Sequence, residues 1–211
     1  MLKKEDHHGT NLYHWAAGLG DLELLKYLRS VSTTDVDLCS SMAGDAGAAS
    51  SGNKRHGKSP LHYASRYGRA AVVRYILSLP SSSSPPSPSN DGTTALHLAF
   101  FGSSGPCAEL LLAAGCDAKA SNSWGCDAGH FAGLGGADRA VLELALSRGC
   151  SFAKEQGGGH RPTHKAAMGG HWRCVRDMLE LEPGAREGLR LGEVYKGGEE
   201  GKAWMIENAV W

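Results

Sequence analysis

The chain has 211 residues, and its 22 lysines and arginines balance 22 aspartates and glutamates. A neutral chain of this kind has no bulk field to draw nucleic acid or an acidic lipid surface. No stretch approaches the ~18 consecutive apolar residues of a membrane span, and the length suits one ordinary domain or two small ones.

The N-terminal MLKKEDHHGTN carries charges with no apolar run behind them, so it does not read as a secretory signal. His7 and His8 in it read as solvated. The first helix pair follows, in GTNLYHWAAGLG (9–20) and then DLELLKYL. An insertion, 39–53, comes next and is rich in Gly, Ala and Ser. GKSPLHYASRYG (57–68) and AVVRYIL form a second pair, followed by a Ser/Pro insertion, 80–89. Such runs bury little apolar surface and read as flexible. Phosphorylation of Ser81 to Ser84, Ser87 or Ser89, or capture by a proline-reading module, is the functional alternative.

GTTALHLAFFGS (92–103) with CAELLLAAG, GCDAGHFAGLGG (125–136) with AVLELALSRG, and GHRPTHKAAMGG (159–170) with CVRDMLE complete the series. His14, His62, His97, His130 and His164 recur at spacings of 48, 35, 33 and 34. Each has Gly five residues before it and Ala two after it. Gly also lies six residues after each, except where Ser103 replaces it. Asn11, Ser59, Thr94 and Asp127, three before the histidine, are residue types that cap helix N-termini. Pro60 and Pro162 fit the first helical turn, where a missing N–H costs nothing. Glycines 115 and 149 mark helix ends. One unit is therefore a turn, a short helix, a glycine and a second helix.

This pattern resembles the ankyrin repeat, a 33-residue unit with a Thr-Pro-Leu-His-x-Ala core. Ser59-Pro60-Leu61-His62-Tyr63-Ala64 and Thr94-Ala95-Leu96-His97-Leu98-Ala99 carry the resemblance best. It implies an all-α solenoid over 1–180, with repeats near 6–38, 54–80, 89–121, 122–155 and 156–180. The Gly-rich tail, 181–211, reads as a degraded sixth repeat or a cap, with Trp204, Met205, Ile206 and Trp211 packing on the last repeat. Asp-Ala-Gly-His at 127–130 and Arg-Pro-Thr-His at 161–164 depart from the core motif, so repeats four and five should be looser. Gly129 there removes an apolar contact.

Three chemical readings compete with this one. Cys126, Asp127 and His130 look like a nucleophile site, but five histidines at one register position cannot all be bases. The resemblance implies that they tie turns and neighbouring repeats together. HRPTH (160–164) lacks the Glu of a zinc-protease helix, and Pro162 separates its histidines. GGEEGK (197–202) has the wrong spacing for a phosphate loop. The six cysteines (39, 107, 116, 126, 150, 174) form no CxxC pair and read as free thiols of a reducing compartment. The expected location is cytoplasmic or nuclear. No metal, cofactor or catalysis is expected.

The resemblance also implies a concave surface that grips another protein. It would be built from the residues four and five after each histidine, the residue after the turn glycine, and the hairpin tips. The candidates are Arg55, His56, Lys58, Arg66, Tyr67, Phe101, Trp124, Cys126, Leu134 and Met168, cationic in repeat two and apolar in repeats three to five. Thr93 and His160 belong to the same exposed class. Trp15, Tyr63, Leu98 and Phe131, one after the histidine, should pack between helix layers. Two alternatives stand beside this reading of a monomeric interaction module. The chain could be the targeting portion of a larger signalling protein, or Cys126 could be a redox-sensitive thiol beside a helix N-terminus.

Overall fold

A computed structural model of the chain describes residues 10–32, 38–39, 57–80, 82, 85–187, 189 and 203. These residues form ten α-helices and no strand, the all-α class expected from the periodicity. The helices are α1 (Leu12–Leu19), α2 (Leu22–Ser30), α3 (Pro60–Arg66), α4 (Ala70–Leu77), α5 (Ala95–Phe101), α6 (Gly105–Ala113), α7 (Ala128–Gly135), α8 (Arg139–Ser147), α9 (Pro162–Met168) and α10 (Trp172–Leu181). A short 3-10 helix, Pro183–Arg186, follows. The fold divides into two compact units, one of residues 1–99 and 106–116, the other of 100–105 and 117–211.

In the first unit α1 packs on α2 and α3, and α3 on α4. Asn11 caps α1 by accepting from the Tyr13 N–H at 3.0 Å, and Asp21 caps α2 by accepting from Leu24 N–H at 2.9 Å. The core is Tyr13, Ala16, Ala17, Leu25 and Leu28, continued by Leu61, Val72, Val73 and Ile76. Helix pairs this short form because an apolar stripe on each is buried against the next; seven to nine residues are too few to be stable alone. The Tyr13 hydroxyl, buried in that core, donates to Leu28 O at 3.0 Å.

In the second unit α9 packs on α7, and α10 on α8 and α9. Asp127 caps α7, and Asp138 caps α8 through Val141 N–H at 3.1 Å. Repeat four is not looser for its glycines. A Cβ on Gly133 would sit 2.2 Å from Pro162 O, and one on Gly135 1.9 Å from Phe101 O. The glycines are what lets the backbones meet. At Gly129 the space is filled by Asp127 Oδ1, Cys150 Cβ and Pro162 Cγ, all 3.3–3.7 Å from where a Cβ would lie. After α10, Ala185 and Leu189 are buried, and Arg161 donates to Glu187 O at 2.8 Å. Trp204, Met205, Ile206 and Trp211 lie outside the described residues.

The glycine six residues after each histidine adopts φ between 68° and 84° in four repeats (Gly20, Gly68, Gly136, Gly170). Side chains rarely adopt that conformation. Ser103 holds it at φ 51°, the one non-glycine residue with positive φ among those described, and its Oγ accepts from Asp138 N–H at 2.9 Å.

Candidate functional site

The recurring histidines face inward, as the register implies. Each Nδ1 accepts the backbone N–H three residues earlier: Asn11 to His14, Ser59 to His62, Thr94 to His97, Asp127 to His130 and Arg161 to His164, at 2.9–3.4 Å. In the first unit Nε2 then reaches the next repeat, His14 to Lys58 O at 2.9 Å and His62 to Thr93 O at 3.0 Å. Accepting at Nδ1 leaves the proton on Nε2, so the ring donates across the gap. The carbonyls it reaches belong to the residues after the turn glycines 57 and 92. The histidine therefore fixes both its own helix start and the turn of its neighbour.

Repeat four varies this device. Its capping residue is a carboxylate, Asp127, with its side chain only 1% exposed. It lies 2.9 Å from His130 Nδ1 and accepts from Lys154 Nζ at 2.8 Å. Burial alone would raise its pKa, but the interactions with His130 and Lys154 outweigh burial and hold it below the usual carboxylate range. His130 is 1% exposed, so this Asp–His pair is walled off from any substrate. His160 and His164 lie in a turn and a helix, with ring centroids 6.0 Å apart. Among the described residues no group of three or more His, Cys, Asp or Glu is placed to hold a metal ion.

Cys126 does not face outward. It is 8% exposed, and its N–H donates to Asn122 Oδ1 while its carbonyl accepts from Asn122 N–H, which folds the turn over it. Burial pushes its thiol pKa up despite Lys165 nearby. Burial also pushes Cys116 and Cys150 up to about 11 and Cys174 to about 12. None of these is an activated thiolate. None of the six cysteines is in a disulfide, and all but the half-buried Cys116 are buried.

The remaining surface candidates fall in both units. In the first unit Arg66 and Tyr67 are exposed at the end of α3, with the Arg66 guanidinium 5.9 Å from the Tyr67 ring centroid. Tyr67 lies over Gly18, whose missing side chain makes room for the ring. Lys58 is half-buried, and its pKa is lowered by burial and by Arg66, against the pull of Asp91. Arg55 and His56 lie outside the described residues. In the second unit Trp124, Leu134 and Met168 are exposed. Trp124 is held at its hairpin by Asn122 Oδ1 on its N–H and by Gly157 N–H on its carbonyl.

Several expected exposures are not there. Phe101 and His160 are half-buried and Thr93 is buried. The row one after the histidine splits: Leu98 is buried, Tyr63 and Phe131 are half-buried, and Trp15 is exposed rather than core. Period alone gave all four the same environment.

A family model described as ankyrin repeats (3 copies) matches residues 14–122, more than half of the chain. The chain belongs to the ankyrin repeat family. The match ends where the Thr-Pro-Leu-His core gives way to Asp127-Ala128-Gly129-His130. Ankyrin repeats are stacked helical units that generally serve as protein-interaction modules and are typically not enzymes. Over 71 residues the chain is 49% identical to a rice (Oryza sativa subsp. japonica) protein called zinc finger CCCH domain-containing protein 24. That stretch is 32% of this chain, and the chain spans 9% of that protein's length.

Proposed function

We propose that this ankyrin chain binds another protein without catalysing a reaction, using side chains at the turn ends of its first helices and at its hairpin tips. The observation that carries this reading is the division of labour within each repeat. The five recurring histidines are buried and bonded to the starts of their own helices, while Arg66, Tyr67, Trp124, Leu134 and Met168 are exposed. Exposed aromatic, Met and Arg side chains on a rigid backbone are typical interface anchors. Holding them on helix ends lowers the ordering cost of binding. In the first unit the surface is cationic and aromatic, and in the second it is apolar.

The test is affinity capture with the whole chain, followed by mass spectrometry. Proteins retained by wild type should be lost with Arg66→Glu, Tyr67→Ala or Trp124→Ala, with helical circular dichroism unchanged. Phe101→Ala, from a half-buried position, should weaken capture less. If the surface variants unfold, these residues belong to the frame and the reading is wrong.

A second reading follows from the partial match to a far longer protein. The repeats would then be a targeting module within a larger polypeptide, and the same surfaces would dock that polypeptide on its partner. Fusing the chain to a reporter and following its distribution, wild type against Tyr67→Ala, tests that role.

A further inference from the structure

Charge balances over the whole chain but not over repeat two. Residues 57–80 carry four cations, Lys58, Arg66, Arg69 and Arg74, and no aspartate or glutamate. Repeat five is built otherwise. On α10 the cations meet carboxylates of their own helix, Arg173 at 3.8 Å from Asp177 and Arg176 at 4.0 Å from Glu180. On α3 and α4 the sequence offers no such carboxylate.

Three of the four cations gather around one aromatic ring in the first unit. Arg66, Tyr67 and Arg69 are exposed together where α3 ends. The Arg66 guanidinium lies 5.9 Å from the Tyr67 ring centroid. Arg69 reaches across to repeat one, where its Nε donates to Gly18 O at 2.9 Å. The Tyr67 ring lies over that same glycine. Both side chains are thereby anchored on one patch. Lys58, in the turn before α3, is near enough to Arg66 for the two like charges to act on each other. Asp91 pulls Lys58 the other way, but its Oδ1 is already engaged by Thr93 N–H at 3.0 Å and by the Ser89 hydroxyl. Like charges held close repel, and an anion seated among them removes that cost.

We propose that Lys58, Arg66, Tyr67 and Arg69 form a seat for an acidic segment of a partner protein, one that carries clustered carboxylates beside an aromatic side chain. The proposal rests on the protein-binding reading above and names the chemistry of the partner at the first unit. Arg66 and Arg69 supply planar forks that match a carboxylate, and Lys58 supplies a point charge. Tyr67 supplies a flat face for the partner's ring. The patch is local, and the chain as a whole is neutral, so no wider field holds the phosphate chain of a nucleic acid.

Fluorescence anisotropy tests this with the full chain and a labelled peptide of repeated Glu-Glu-Tyr units. Wild type should bind the peptide, less tightly as salt is raised, and should not bind the Gln-Gln-Tyr analogue. Arg66→Glu and Arg69→Gln should each weaken binding about tenfold with helical circular dichroism unchanged. Arg74→Glu, exposed on α4 outside the patch, should bind like wild type. If Arg69→Gln lowers the helical signal by losing its bond to Gly18, Arg66→Glu and Lys58→Gln decide. No binding, equal binding of the Gln-Gln-Tyr peptide, an equal loss in Arg74→Glu, or tighter binding of an oligothymidylate overturns the proposal. Such a result, with captured proteins still released by Trp124→Ala, leaves the protein-binding reading standing and removes only the acidic partner. Captured proteins retained by all of the surface variants would remove both.

Discussion

His62 shows how one side chain serves the frame and what that costs. Burial pushes its pKa down to about 4, against the Thr93 carbonyl that favours the charged form. In the folded chain the neutral ring accepts from Ser59 N–H and donates to Thr93 O. Unfolded, the ring takes a proton near pH 6.5. Between these values the unfolded state binds more protons, so stability falls as pH drops through the window and is complete above it. The contribution lost approaches about 3 kcal/mol at the acid end. Urea unfolding at pH 7 and pH 4.5 should show a large drop in midpoint, and His62→Gln should shrink that drop. An unchanged difference between the two pH values contradicts this account. Cys126 makes the opposite point. As a buried thiol with a raised pKa, it should react with a disulfide reagent more slowly in the folded chain than in urea. Labelling in the folded chain that is as fast as in urea would restore the redox reading.

Among the helices, α7 separates what the sequence reveals from what it conceals. Its start was legible, because Asp127 is a capping residue at fixed distance from a repeating histidine. So were the helix pairs, since a 3.6-residue period is strong when it recurs five times. The packing of GHFAGLG was not. A glycine in a helix reads as a missing side chain, and only the neighbouring backbone reveals that Pro162 O and Phe101 O occupy the space. Gly133→Ala and Gly135→Ala should each cost about 2 kcal/mol by overpacking. Gly105→Ala, whose Cβ would lie 3.8 Å from Val141 Cγ2, should be neutral or stabilising by up to about 1 kcal/mol. Denaturant midpoints of the three variants check this, and equal effects at all three positions would refute it. The same limit explains Trp15 and Cys126. Repeat register gives a position's role inside an array, but not how the chain around it covers each side chain.

At the scale of the whole molecule, buried bonding and exposed chemistry are kept apart. The histidine–turn bonds lie inside, while Arg66, Tyr67, Trp124 and Met168 are exposed. On the proposed reading, the molecule holds these side chains still for another protein to meet. Glycine, proline and histidine at repeating distances announced that architecture, whereas the identity of the partner depends on side chains that the repeat leaves free to vary. The most direct measurement is calorimetric titration of the captured partner into wild type and into the Tyr67→Ala, Trp124→Ala, Met168→Ala triple variant. Hot-spot side chains each contribute about 2 kcal/mol, so affinity should fall at least about tenfold with the unfolding midpoint unchanged. Equal affinity in a folded triple variant would place binding elsewhere on the chain and contradict the account.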